Sequence, residues 1–395
     1  MSKNSCVLPW KHMAIGAADG KPTVLPCCRF KAFGESEFKQ YKFLPPEEAV
    51  NHPEYFQKIR DRMKAGEKLQ ECSKCWEEEK LGGRNMRMHF NQLYGYIEDK
   101  FELDYLEVFL SNHCNLACRM CNVDESTTWA RLYNAAWKDA PRTDSMKHHV
   151  PDYYYNQGGK VKPEVNTVRN FDLTKFNKPT IIKILGGEPF MSPEHSPFLQ
   201  DLGKYDDLSD VSIVYHTNAT KFPTKEDIEV WKKCKSVELC FSIDGYGYGN
   251  DYNRTLSNWN EIEENVKNYL NLDVNLIFGV HSCLSVFSIW SFNELSKWVQ
   301  SVMPKDKHSI DCIRWPEYTS IGTMPEKYKQ HLINKMETWD NVQPFHKRAI
   351  MQALKGGETN LQLWNELLKR SADMDAVTGL DYKKVLPIDN TGNLC

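Results

Sequence analysis

Between residues 103 and 320 the apolar positions follow two patterns in turn. Short runs rich in β-branched and aromatic residues read as strands: Tyr105–Ser111, Thr180–Leu185, Val211–His216, Val237–Ile243, Leu276–His281 and Cys312–Trp315. Stretches with apolar residues three and four apart read as helices, among them Lys225–Cys234 and Trp259–Leu270. Another opens at Asp124-Glu125-Ser126 and runs through Trp129, Ala130 and Leu132. Strands alternating with helices imply parallel β/α units. Right-handed crossovers curl six such units into a partial barrel.

The flanks read differently. Residues 1–100 are expected to form a small unit of their own, 101–324 the barrel, and 325–395 a helical extension capping it. In the first part, Met13-Ala14-Ile15-Gly16 and Thr23-Val24-Leu25 face each other across Asp19-Gly20, a hairpin signal. That pairing sets Cys27 opposite roughly residue 12, so Cys6 has to curl back, helped by Pro9. His52-Pro53 starts a helix with Tyr55, Phe56, Ile59 and Met63 on one face, and Gly66 ends it. Near the C-terminus, Thr359-Asn360-Leu361-Gln362 fits a capping box after Gly356-Gly357, with Trp364, Leu367 and Leu368 as the apolar stripe. A long polar connection over 138–178 holds Tyr153-Tyr154-Tyr155 and Gly158-Gly159, and reads either as a partly packed lid or as a solvated insertion. His148-His149, inside it, is expected at the surface.

Composition narrows the class. The 395 residues are 41% hydrophobic, ample for a sizeable core, and the net charge is 50 − 53 = −3. Nothing global argues for nucleic acid or an acidic membrane surface. The N-terminus lacks an apolar signal core and no run is long enough to span a bilayer, so a cytoplasmic protein is expected. Thirteen cysteines, an odd number, with several in metal-like spacings, then read as metal or cluster ligands and not as disulfides. Cys234, Cys240, Cys283 and Cys312 lack such spacing and read as small core residues.

Two cysteine groups stand out. Cys114, Cys118 and Cys121 lie within eight residues on the loop leaving the first barrel strand, where barrels place their chemistry. Four thiolates complete an iron–sulfur cube or a zinc site; three leave one position open or filled from afar. The second group is Cys6, Cys27 and the C-x-x-C pair Cys72 and Cys75, with Cys28 in reserve. Its spacing is compatible with zinc, with iron–sulfur, and with a purely structural role. Gly186-Gly187-Glu188-Pro189, Thr217-Asn218-Ala219 and Ser242-Ile243-Asp244-Gly245, with Arg254 beyond, each follow a strand. Taken singly, each is as well explained by a turn as by a ligand contact.

Together, and in this order, these motifs resemble the radical S-adenosylmethionine (SAM) superfamily. The C-x₃-C-x₂-C loop resembles its signature, with Met120 where the family usually has an aromatic residue. The resemblance implies a partial (β/α)6 barrel. It implies that Cys114, Cys118 and Cys121 hold three irons of a [4Fe-4S] cluster, with SAM chelating the fourth. One electron then splits SAM into methionine and a 5′-deoxyadenosyl radical, which abstracts hydrogen from a substrate. By the same resemblance Gly186, Gly187, Glu188 and Pro189 bind the SAM amino group. Asn218 ends a strand similar to the family's TNG or TNA, Ser242 contacts the ribose and Arg254 the carboxylate, with Asp244 in the same stretch that positions SAM. The Cys6…Cys27…Cys72-x-x-Cys75 run is similar to the SPASM/twitch modules that carry an auxiliary [4Fe-4S] cluster, here placed before the barrel and not after it. Such enzymes often modify peptides or proteins and take electrons from a flavodoxin or ferredoxin. A small-molecule or nucleoside substrate is the second enzymatic reading, and a non-catalytic zinc or iron–sulfur binding protein the rival from another class.

Overall fold

A computed structural model describes residues 4–18, 21–80, 85–95, 100–137, 146–150, 171–303 and 307–388. Tyr153-Tyr154-Tyr155 and Gly158-Gly159 of the long connection lie outside them, as does the Asp19-Gly20 turn. The chain divides into two compact units.

The first unit comprises Met1–Ser111, Val165–Tyr215 and Pro223–Val237. It begins with a one-turn helix, Leu8–Lys11, whose Pro9 sits in the first turn, where a missing N–H costs nothing. Strand β1 (His12–Ala18) follows, then β2 (Lys21–Leu25), paired antiparallel in the register Ala14↔Leu25 to Ala18↔Lys21. The expected antiparallel pairing is therefore present. On its other side β1 pairs in parallel with β3 (Tyr105–Phe109). β3 pairs with β4 (Ile181–Leu185), and β4 with β5 (Ser212–Thr217), again in parallel. The order in this unit is β2-β1-β3-β4-β5. The first hundred residues thus extend the parallel sheet at its edge through β1. Beneath the hairpin, Tyr55, Phe56, Ile59 and Met63 are buried as one face, and Gly66 ends that segment at φ 82°. Tyr55 also ties the segment to the sheet, its hydroxyl donating to the Val24 carbonyl at 2.6 Å.

The second unit comprises Asn112–Glu164, His216–Phe222 and Glu238–Cys395. Its strands run β6 (Ser236–Ser242, of which the first two residues belong to the other unit), β7 (Leu276–Leu284) and β8 (His308–Cys312). β7 and β8 are parallel, in the register Val280↔His308 to Leu284↔Cys312. The helix Trp259–Leu270 falls where its periodicity places it. The helix Leu361–Thr378 packs on Thr127–Trp137, with Met374 buried among Ala117, Val123 and Trp129.

The expected α/β class is borne out, with the six anticipated strand regions represented as β3 to β8. The last of them is displaced: β8 ends at Cys312 instead of starting there. Its Ser309 and Asp311 are exposed, so its polar alternation hid it from a search for apolar runs. At the final helix the cap is Asn360, which accepts from Leu363 N, while Thr359 Oγ1 donates to the Met324 carbonyl.

Candidate functional site

In the second unit Cys114, Cys118 and Leu116 form one buried cluster, with Met120 and Cys121 packed against it. The loop that carries them is fixed by groups other than its thiols. Ser126 Oγ donates to the Leu116 carbonyl at 2.5 Å, and Thr128 Oγ1 to that of Cys114 at 2.7 Å. Trp129 Nε1 donates to the Cys118 carbonyl at 2.9 Å. These three donors come from one short segment because Thr127–Trp137 is a helix whose start folds back under the loop.

Two histidines complete the set. His148 Nε2 lies 2.8 Å from the Met120 carbonyl and His149 Nδ1 lies 2.7 Å from that of Cys121. A carbonyl only accepts, so His149 Nδ1 donates, and its Nε2 is left to accept from the Tyr318 hydroxyl. Burial holds the His149 imidazole well below its ordinary pKa, so it is the neutral ring that does this. The surface placement expected for the pair is therefore corrected: His149 is 1% exposed. Its partner Tyr318 lies 169 positions away, beyond the reach of any local pattern.

Around the thiols stand three of the expected site residues. Asn218 Nδ2 lies 3.8 Å from Cys114 Sγ, and its Oδ1 accepts from Thr220 N at 3.0 Å. Arg254 Nη1 lies 3.8 Å from Cys118 Sγ. Asp244, fully buried, binds Arg254 Nη2 at 3.0 Å. A hydrogen bond from Cys121, with the nearby Arg254 guanidinium, holds the Cys118 thiol below its ordinary value against burial. The same hydrogen bond, with burial, pushes Cys121 well above. Ser242 ends β6 two residues before Asp244, half-buried. Cys283, expected as a core residue, meets the same carboxylate through its backbone. It is half-buried, and its backbone N donates to Asp244 Oδ1 at 2.8 Å.

The Gly186–Pro189 turn belongs to the first unit. Gly187 N donates to the Ser111 carbonyl at 2.7 Å, and a Cβ on Gly186 would stand 2.8 Å from that same oxygen. Glycine is required there for close backbone approach. Glu188 is fully buried and its Oε1 accepts from Phe190 N at 3.4 Å, opening the short turn Pro189–Met191.

The first unit also holds the second cysteine group. Cys6, Cys27, Cys72 and Cys75 line one cavity, together with Arg29, Arg87, Phe30 and Met63. Each arrives on its own device. A one-turn helix follows Cys6, Cys27 follows β2, Cys72 closes a 3-10 turn, and Cys75 lies in the helix Ser73–Lys80. Arg87 Nη1 donates to the Ser5 carbonyl at 2.8 Å and Asn85 Nδ2 to that of Cys75 at 2.9 Å, closing the loops on each other. Cys28 is exposed and does not line the cavity. Burial pushes the Cys6 thiol up to about 12 and raises Cys72 and Cys75 as well. Four thiols crowded in a dry pocket resist ionisation, and a cation among them reverses that balance. Arg29 and Arg87, each paired with a glutamate (Glu78 at 2.5 Å and Glu79 at 2.6 Å), supply positive charge at the rim.

Among the described residues no three His, Cys, Asp or Glu side chains stand at metal-ligand spacing. Both groups nevertheless have the donor chemistry of soft-metal or cluster sites, with sulfur ligands in low-dielectric pockets and second partners already holding the backbone.

No family model and no curated protein matches the chain. Among solved structures it is similar to SuiB of Streptococcus suis bound to S-adenosylmethionine, at 11% identity over 82% of this chain and 67% of that one, with a TM-score of 0.33. SuiB bound to the precursor peptide SuiA matches at 11% identity, over 82% and 68%, with a TM-score of 0.34. Native anSMEcpe with bound AdoMet matches at 15% identity, over 65% and 63%, with a TM-score of 0.35. At these identities the likeness assigns no residue of this chain.

Proposed function

We propose that this chain is a radical SAM enzyme acting on a peptide or protein side chain. The observation that carries the reading is the gathering of Cys114, Cys118 and Cys121 in one buried pocket on a loop whose backbone is held by other groups. Three local thiolates leave one iron of a cube for a chelating ligand, which a closed four-thiolate site does not. A [4Fe-4S] cluster bound there supplies the electron that cleaves SAM to the 5′-deoxyadenosyl radical. The chain's own residues bind, orient and exclude water. Gly186 to Pro189 offer backbone groups and a buried carboxylate for an amine. Asn218 and Ser242 offer short polar groups at strand ends, and Arg254 a guanidinium for a carboxylate.

In this reading residues 1–100 carry an auxiliary [4Fe-4S] cluster on Cys6, Cys27, Cys72 and Cys75, 101–324 the catalytic barrel, and 325–395 its helical cover. The peptide class follows from the resemblance of the cysteine-rich module, and a small molecule is the second reading. A flavodoxin or ferredoxin in the cytoplasm is the electron donor. No helix among the described residues is long and apolar enough to cross a membrane.

The test is anaerobic reconstitution with iron and sulfide, reduction with dithionite, and chromatography for 5′-deoxyadenosine after SAM is added. Wild type is expected to form it and the variant with Cys114, Cys118 and Cys121 all changed to Ala to form none. Equal product from both overturns the proposal.

A further inference from the structure

Residues 117–119 and 253–255 lie side by side in antiparallel register within the second unit. Ala117 N donates to the Thr255 carbonyl at 3.0 Å, and Arg119 N to that of Asn253 at 2.8 Å. These two rungs bracket Cys118 and Arg254 and set them opposite each other. The guanidinium is therefore delivered to the sulfur by the backbone, and Arg254 Nη1 lies 3.8 Å from Cys118 Sγ.

The rest of the guanidinium is held by Asp244. Nη2 donates to Asp244 Oδ1 at 3.0 Å, while Nε lies 2.9 Å from Oδ2 without its N–H aligned on that oxygen. The carboxylate is further occupied by Cys283 N on Oδ1 at 2.8 Å and by Asn253 Nδ2 on Oδ2 at 2.7 Å. A carboxylate has about four lone-pair directions. Three hydrogen bonds and an ionic contact leave Asp244 no room for a sugar hydroxyl, and it is fully buried. Asn253 is in turn locked: its Oδ1 accepts from Ser285 Oγ at 2.7 Å.

Burying an ion pair of this kind is costly unless every polar group is satisfied. Here the arrangement does more than neutralise charge, because it leaves one face of the guanidinium turned to sulfur. We propose that Asp244 is a positioning residue, whose task is to present Arg254 to the Cys118 sulfur, and that this contact sets the reduction potential of the cluster on the Cys114 loop. The proposal rests on the reading that a cluster is held there. A one-electron reduction by dithionite adds negative charge to a cluster and its sulfurs. A donor cation beside a ligand sulfur stabilises that reduced form and raises the potential.

The experiment measures that potential on the full chain, by visible absorption and EPR during dithionite reduction. It is run in a Cys72→Ser/Cys75→Ser background so that iron is read from the Cys114 loop alone. Arg254→Gln keeps much of the volume and removes the cation, and a more negative potential is expected at unchanged iron content. Asp244→Glu keeps the charge and displaces it by one methylene, and a shift of the same sign is expected. In the Arg254→Gln background Asp244→Glu is expected to add nothing, since it acts only through the arginine. Should Arg254→Gln lose its iron, Arg254→Lys retains a charge without the fork, and an intermediate shift is expected. A potential unmoved by Asp244→Glu, or moved equally whether or not Arg254 is present, overturns the proposal. A background protein that binds no iron–sulfur cluster overturns the underlying reading instead.

Discussion

Trp129 and His149 stack face to face, ring centroids 4.2 Å apart and planes 16° from parallel. Each holds one carbonyl of the same cysteine loop, Trp129 that of Cys118 and His149 that of Cys121. The helix start and the long connection therefore meet as a two-ring clamp on the second half of the cysteine loop.

Replacing Trp129 by Phe keeps a large ring and removes the hydrogen bond. The expected cost is about 0.5–1.5 kcal/mol of stability, with more if the Cys118 carbonyl is left without a partner. Trp129→Ala, which also empties a 1% exposed site, is expected to cost roughly 3–5 kcal/mol. Urea unfolding of the metal-free chain measures both, and no loss in Trp129→Phe would remove the hydrogen bond from the account.

The auxiliary site makes a metal-count prediction. Anaerobically reconstituted wild type should carry about eight irons and the variant lacking Cys114, Cys118 and Cys121 about four. Stoichiometric zinc in that variant would return the Cys6, Cys27, Cys72 and Cys75 pocket to a structural zinc site.

Gly186→Ala places a methyl group 2.8 Å from the Ser111 carbonyl, a backbone atom that cannot swing aside. A loss of roughly 1–3 kcal/mol is expected from such overpacking. A melting temperature unchanged from wild type would show that the turn relaxes freely.

Acid should weaken the second unit through His308. Burial, with His346 and His281 nearby, pushes this imidazole down to about 3. Its Nε2 lies 2.8 Å from Ser282 Oγ, and His346 Nε2 donates to its backbone carbonyl at 3.0 Å. The folded pKa lies below the unfolded one, so from near pH 6.5 downward the unfolded chain takes up a proton that the folded chain refuses. Stability is complete above that range and falls by up to about 1.4 kcal/mol per pH unit within it. His308→Gln should flatten this slope in unfolding curves taken between pH 7.5 and 5.5, and an unaltered slope would exclude His308 as the source.

Much of this molecule is written in local pattern. The antiparallel pairing of β1 with β2, the buried face Tyr55, Phe56, Ile59 and Met63, and the helix Trp259–Leu270 follow from turn chemistry and periodicity. What escaped is what depends on distant partners. His149 reads as a surface residue because nothing near it in sequence announces Tyr318. β8 was misplaced because its open face carries Ser309 and Asp311 where an apolar residue was sought. Asp244 was readable as a strand-end carboxylate, but the number of donors already on it is a property of the folded chain alone.

Many of the bonds that hold the Cys114–Cys121 loop run through its backbone: Ala117 and Arg119 through their amides, and Cys114, Leu116, Cys118, Met120 and Cys121 through their carbonyls. Ordering a residue's backbone costs roughly 1–2 kcal/mol, and in this loop that entropy is spent when the chain folds. Metal uptake then meets a receptor already in shape, and metal loss leaves one behind. The chain should accordingly survive oxidative destruction of a cluster proposed there as a folded, refillable scaffold, where a domain that folds only around its metal would be lost with it.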